Sequence, residues 1–219
     1  MKRMISILLI FFLLMGFSAC HTQGIPPRSF HVNSIAALKT LLNAAQLSDA
    51  DFAEFSAQAW ASADDQIHIL PDTKKQEVEE LVQIIETVGI PVLKDHAMPE
   101  SFHFEYRPGY TWIDMIYRLD DMRYRFCISP TKNILERIWN YLSRIRDIPV
   151  ATWKLDEDTI VLYRNWQVRQ RYGVLYRNGY TVSIDLLSYT EEPVAGFPFV
   201  TSAEFVWRNT LAQPFAASE

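Results

Sequence analysis

Hydrophobic positions along the chain follow two rhythms, and the change between them falls near residue 100. Before it, apolar residues recur every three or four positions, the spacing of helices with one buried stripe. Ile35, Leu38, Leu41, Leu42 and Ala45 predict a first helix, capped by Asn33 or Ser34. Ser48-Asp-Ala-Asp51 resembles a capping box with Asp in place of Glu, and opens a second helix to about Trp60. Its face carries Phe52, Phe55 and Ala59. Ile67, Ile69 and Leu70 form a short strand or a linker. Pro71-Asp72-Thr73 starts the clearest helix, with Val78, Leu81, Val82, Ile85 and Val88 on one stripe; Gly89 caps its end and Pro91 stops it.

From Phe102 the pattern alternates residue by residue, as strands do. Phe102 to Tyr106 is one strand, Arg107-Pro-Gly-Tyr110 a turn, and Tyr110 to Leu119 the next strand, with Ile113, Met115, Tyr117 and Leu119 inward. Asp120-Asp121 turns the chain into Met122 to Ile128, with Tyr124, Phe126 and Ile128 inward and Arg123, Arg125 and Cys127 outward. Ser129-Pro130 reads as an N-cap followed by Pro at the first helical position. The helix it predicts runs over 131–147 on the stripe Leu135, Ile138, Leu142 and Ile145. Strands follow at Thr152–Leu155, Thr159–Arg164, Gln167–Arg177 and Tyr180–Leu187, the last two joined by Asn178-Gly179, a strong hairpin signal. Alternation puts Val168, Tyr172, Val174 and Tyr176 on one face and Arg169 and Arg171 on the other. Phe197, Phe199 and Val200 suggest an edge strand, and Phe205 to Trp207 a last short helix. Tyr106-Arg-Pro-Gly-Tyr-Thr111 echoes Tyr176-Arg-Asn-Gly-Tyr-Thr181, as shared hairpin grammar or as a duplicated unit.

These elements predict one α+β domain over 33–210, with a helical part at 33–90 and a mainly β part at 100–200. Its N-terminal helices pack on antiparallel hairpin sheets, with one helix between the two sheet regions. The helices are expected to cover one sheet face and leave the Arg-bearing face wetter.

The first residues have a different character. Lys2 and Arg3 precede Met4 to Phe17, an uncharged apolar run. It is shorter than the roughly 20 residues of a spanning helix and fits the apolar region of an export signal. Phe17-Ser18-Ala19-Cys20 resembles the lipobox of bacterial lipoproteins, with Phe17 where Leu is usual. The resemblance implies a signal peptide over 1–19, a diacylglyceryl group on the Cys20 sulfur, and Cys20 as the mature N-terminus. Two or more acyl chains, each methylene contributing about 0.8 kcal/mol, hold such a protein on a membrane. Residues 20–32, with Gly24 and Pro26-Pro27, then read as a tether.

Charge narrows the partners. A chain from Cys20 has 19 basic and 26 acidic residues, a net charge of −7. Nucleic acid is not an expected partner, because phosphate binding needs basic clusters. The helix pair at 33–60 does not read as a DNA reader either, since its second helix has no Lys or Arg. Eleven of the 13 basic residues in 100–185 are Arg, suited to planar contacts with carboxylates. The two cysteines are Cys20 and Cys127; with lipid on the first, the second is an unpaired thiol.

No HExxH, GxSxG, P-loop, EF-hand loop or paired CxxC occurs, so no catalytic residue is nominated and no metal or cofactor is expected. Asp95, His96, Glu100, His103 and Glu105 offer nitrogen and oxygen donors, but at the spacing of no known metal motif. The aromatic load is the other feature. Trp112 should point away from the Ile113 side of its strand, and exposed aromatics beside Arg suit sugar or peptide contact. Trp112, Arg123, Arg125, Arg169 and Arg171 are the candidate ligand-binding residues.

The lipobox, the helix entry Asn-Ser-Ile-Ala-Ala-Leu-Lys and the strand sequence Ile-Asp-Met-Ile-Tyr-Arg-Leu-Asp-Asp-Met-Arg-Tyr-Arg-Phe together resemble uncharacterised lipoproteins of Gram-positive bacteria. The similarity covers roughly 1–45 and 102–187. It implies a membrane-anchored protein facing outside the cytoplasm and brings no active site. Three functions are open: binding a protein, peptide or glycan, hydrolysis of envelope polymer by an acidic or His/Glu site, and assistance to the folding of exported proteins.

Overall fold

The computed structural model of the chain describes residues 29–61, 67–70, 72–94, 99–120, 122–131, 148–164, 170–188 and 203–210. Residues 132–147 of the predicted helix, the predicted edge strand near Phe197 and the N-terminal segment before residue 29 lie outside them.

Three helices form where the 3.6-residue rhythm predicts them: α1 (Ile35–Asn43), α2 (Asp49–Ala61) and α3 (Lys75–Val88). Ser34 caps α1 by accepting from Ala37 N at 3.1 Å. Ser48 caps α2 by accepting from Asp51 N at 3.2 Å, while its own hydroxyl donates to the Asp51 carboxylate at 2.7 Å. Glu77 reaches back to Lys74 N at 2.8 Å, closing the first turn of α3. At the other end of α3, Gly89 takes φ 78°, a conformation that favours glycine.

Strands make up most of the structure. Among the described residues, β1 (Phe30–Val32), β2 (Ile67–His68), β4 (Ser101–Arg107), β5 (Trp112–Leu119), β6 (Met122–Pro130), β7 (Ile148–Leu155), β8 (Asp158–Arg164), β9 (Gln170–Arg177) and β10 (Tyr180–Ser188) form one antiparallel sheet. Its nine strands have the order β2-β1-β4-β5-β6-β10-β9-β8-β7. A separate pair joins β3 (Ile90–Leu93) to β11 (Phe205–Arg208). The architecture is therefore α+β, as expected, but mostly β. The two expected sheet regions are one sheet, because β6 pairs with β10 along its whole length.

Four local expectations are corrected. Ser129 and Pro130 do not start a helix; they end β6, opposite Thr181 and Tyr180. Proline is tolerated there because β5 pairs with β6 no further than Ile128, so the missing N–H breaks no ladder hydrogen bond. Phe30–Val32, expected in the tether, is a strand hydrogen-bonded to β2 and β4. Pro91 does more than stop α3, since it lies within β3. Phe205–Trp207 is strand rather than helix. The last three segments are short and find their hydrogen-bond partners far away in sequence.

The core lies between the helices and one face of the sheet. Leu38, Leu41, Val78, Leu81, Ile85 and Val88 face Phe104, Ile113, Met115, Phe126, Val182 and Ile184, all buried. At the β7 end the sheet curls over this core, so that Trp153 stacks on Phe126 at 6.1 Å. Phe205 of β11 fills the space inside the curl, 5.2 Å from Tyr117, 5.2 Å from Tyr124 and 5.0 Å from Phe126. Gly173 permits the bend: a Cβ there would stand 2.5 Å from Ile160 Cγ2 and 3.1 Å from Val161 O.

Distant segments also close the end of α3. The carbonyls of Glu86, Thr87 and Val88 accept from Asn209, Asn178 and Arg177 at 2.8, 2.6 and 3.0 Å. Arg177 and Asn178 come from the β9–β10 turn, where Asn178 and Gly179 have the positive φ of a two-residue hairpin, 48° and 85°. The sequence echo of this turn at 106–111 is not repeated structurally. Pro108–Tyr110 forms a 3-10 turn, and Tyr106 is buried whereas Tyr176 is exposed. Among the described residues no helix is long and apolar enough to cross a membrane.

Candidate functional site

The second face of the sheet carries the chemistry. Side chains of directly opposed residues share a face, so register places one row across it: His68, His31, Glu105, Asp114, Cys127 and Ser183. These six residues span more than one hundred positions of sequence. Each is flanked along its own strand by core residues, which is why alternation turns all of them to the same side.

At the centre of the row Asp114 is only 5% exposed. Its carboxylate is held by Arg125, with Nε at 2.9 and 3.1 Å and Nη2 at 2.7 Å. This two-point contact compensates the burial of the acid. It also keeps the Arg125 guanidinium charged, and the hydrogen bond to Asp114 raises its pKa above the ordinary value. Beside the pair, Trp112 donates its indole N–H to the Cys127 sulfur. Cys127 is a free, half-buried thiol. Burial raises its pKa to about 11, outweighing the Trp112 hydrogen bond that lowers it. The sulfur is therefore a neutral thiol at physiological pH and a poor nucleophile.

Arg107 forms the next link. Its Nε donates to Glu105 at 2.6 Å and its guanidinium lies 4.5 Å over the Trp112 ring. On the far side of Glu105 are the histidines. His31 and His103 rings are 5.5 Å apart, and His68 lies 6.3 Å from His31. Trp60 packs 5.5 Å from His68. A nitrogen of His31, a nitrogen of His103 and an oxygen of Glu105 all lie within 4.8 Å of one another. Burial lowers the His31 pKa, opposed by Glu105 and assisted by His103, His68 and Arg107.

Of the five sequence-predicted ligand residues, Trp112, Arg123 and Arg125 do share this face. Arg123 Nε is shielded from solvent and has no hydrogen-bond partner among the described residues. Arg171 is a correction: it opposes Leu186, which is buried, and so points to the core side of the sheet. Tyr172, Val174 and Tyr176 take the polar face instead, opposite Asp185, Ser183 and Thr181. The alternating pattern of β9 is right, but its two faces are exchanged, because Gly173 and Leu175 accompany Arg171 inward. Arg169 and His96 lie outside the described residues. His31 was legible only as an isolated histidine; its 72-residue distance from His103 hides the cluster from any local motif.

An acidic pair for hydrolysis finds no support at one cleft of the described residues. It lies between α2 and the start of α3, with a volume of about 450 Å³, and contains Asp49 and Glu79. Lys75 stands between these carboxylates at 3.8 and 3.3 Å, so they form an ion-pair cluster. No family model, curated protein or solved structure matches this chain.

Proposed function

We propose that this chain is an extracytoplasmic binding protein, held on the cell membrane by lipid at Cys20, whose ligand docks on the polar sheet face around Trp112, Arg123 and Arg125. The observation that carries the binding reading is that those three residues share one face of the sheet. The Arg107–Trp112 stack supplies an apolar plane beside charge. That combination suits a peptide or glycan segment, which presents both apolar surface and hydrogen-bonding groups. The anchor rests on the lipobox-like Phe17-Ser18-Ala19-Cys20.

The two parts are tested separately. Cys20→Ser should move the protein from the detergent phase to the aqueous phase in a temperature-induced partition. A variant still wholly in detergent overturns the anchor. For the binding face, a photo-crosslinking amino acid is placed at Ile116, on the polar face, or at Glu54, on the exposed side of α2. Adducts with envelope material should form from position 116 and disappear with Arg123→Ala. Equal labelling from both positions, or none from 116, overturns the assignment of the face.

A further inference from the structure

We propose that His31, His103 and Glu105 form a binding site for a divalent transition-metal ion, with zinc as the reference. The site uses side chains of β1 and β4 alone and does not rest on the lipid anchor or on the docking of a polymer.

Strand geometry supplies the preorganisation. His31 is directly opposite Glu105, and His103 is two residues before Glu105 on the same strand and face. The three donors therefore sit on two hydrogen-bonded strands rather than on loops. Their separation, within 4.8 Å, is near what an ion requires. Ligands about 2.1 Å from a tetrahedral zinc stand about 3.4 Å apart, a difference that small side-chain rotations close.

The donors are also supported from behind. His103 Nδ1 is 3.1 Å from Asn33 Oδ1, which accepts, so Nδ1 carries the proton and Nε2 keeps its lone pair. His31 Nε2 is hydrogen-bonded to Ser29 Oγ at 2.7 Å, which leaves Nδ1 for an ion. Such outer hydrogen bonds orient the imidazoles of metal sites and fix their tautomers. Arg107 occupies one Glu105 oxygen, Oε1, and the second oxygen remains to ligate. The Glu105 side chain is only 12% exposed, so it has little freedom to turn away.

Two nitrogens and one oxygen suit zinc and its neighbours in the first transition row. Three protein ligands leave at least one coordination position for water or for an anionic group of a ligand on this face.

The test uses the tag-free chain in detergent, with its N-terminal segment in place. After gel filtration in zinc-containing buffer, metal analysis should find one zinc per chain. Titration should show binding weakened at least about tenfold in His31→Ala, His103→Ala and Glu105→Gln, since even an outer-shell loss costs that much. Cobalt should give visible ligand-field bands in the wild type and not in the variants. Glu105→Gln is nearly isosteric, so it reports on ligation even if a histidine variant unfolds. Wild-type protein that retains no zinc, or Glu105→Gln and a folded histidine variant that bind it as tightly as wild type, overturns the site.

Discussion

Replacing Phe205 with Ala probes whether the C-terminal strand is part of the core or a decoration on it. Phe205 is 2% exposed and lies 5.0–5.9 Å, centroid to centroid, from Tyr117, Tyr124, Phe126 and Trp153. Three of these contacts are edge-on, the arrangement aromatic quadrupoles prefer. Truncation to Ala removes the transfer free energy of the ring and leaves a hole the curled sheet cannot easily close. The expected cost is about 3–5 kcal/mol, a large share of the roughly 5–15 kcal/mol that holds a typical domain folded. Phe205→Leu, which keeps most of the volume, should cost clearly less. Val206→Ala, on the half-buried opposite side of β11, should cost the least of the three. Urea unfolding followed by far-UV circular dichroism and by tryptophan fluorescence measures each change at constant slope. Trp153 reports directly on the cluster. A loss below about 1 kcal/mol for Phe205→Ala, the range of an ordinary surface substitution or a little more, would refute the seating of β11 inside the sheet.

Other substitutions test the polar face and the bend. Asp114→Ala leaves the half-buried Arg125 guanidinium without its carboxylate and should cost about 1–3 kcal/mol in urea midpoint, less than for a fully buried pair because Arg125 is partly solvated; no change in midpoint would show the pair to be ornamental. Cys127 should react with a thiol reagent at pH 8 far more slowly in folded than in unfolded protein. Its folded pKa of about 11 lies above the ordinary value of 9.0, so the unfolded chain loses this proton first as pH rises. Its contribution to stability is full below about pH 9 and falls away between about pH 9 and 11, by about 1.4 kcal/mol per unit at most; Cys127→Ser should flatten that segment of the stability profile. Gly173→Ala should cost about 1–3 kcal/mol by overpacking against Ile160 and the Val161 carbonyl, and an unchanged melting temperature would contradict the close approach of β8 to β9.

The sequence alone determined what short-range physics controls. Apolar spacing gave α1, α2 and α3, and Ser34, Ser48 and Gly89 marked their ends. Alternation gave β4, β5, β6, β8 and β10, and Asn178-Gly179 gave the hairpin. The inward set Ile113, Met115, Tyr117, Tyr124, Phe126 and Ile128 is buried as the pattern requires. Tertiary structure decided the rest. A strand of three or four residues has too few positions for a period, so β1, β3 and β11 exist only because distant edges supply their hydrogen bonds, and the same pairing made a strand of Ile67–His68, where the sequence left strand or linker open. Strand alternation defines two faces but does not say which is covered. In β9 the core took the face of Arg171, Gly173 and Leu175, because the neighbouring Ile160 needs the space that Gly173 leaves. The polar row is likewise a product of register. His31 meets Glu105, and Glu105 meets Asp114, only once β1, β4 and β5 are aligned. Sequence periodicity therefore specified the elements, while long-range strand pairing assembled the residues that carry the chemistry.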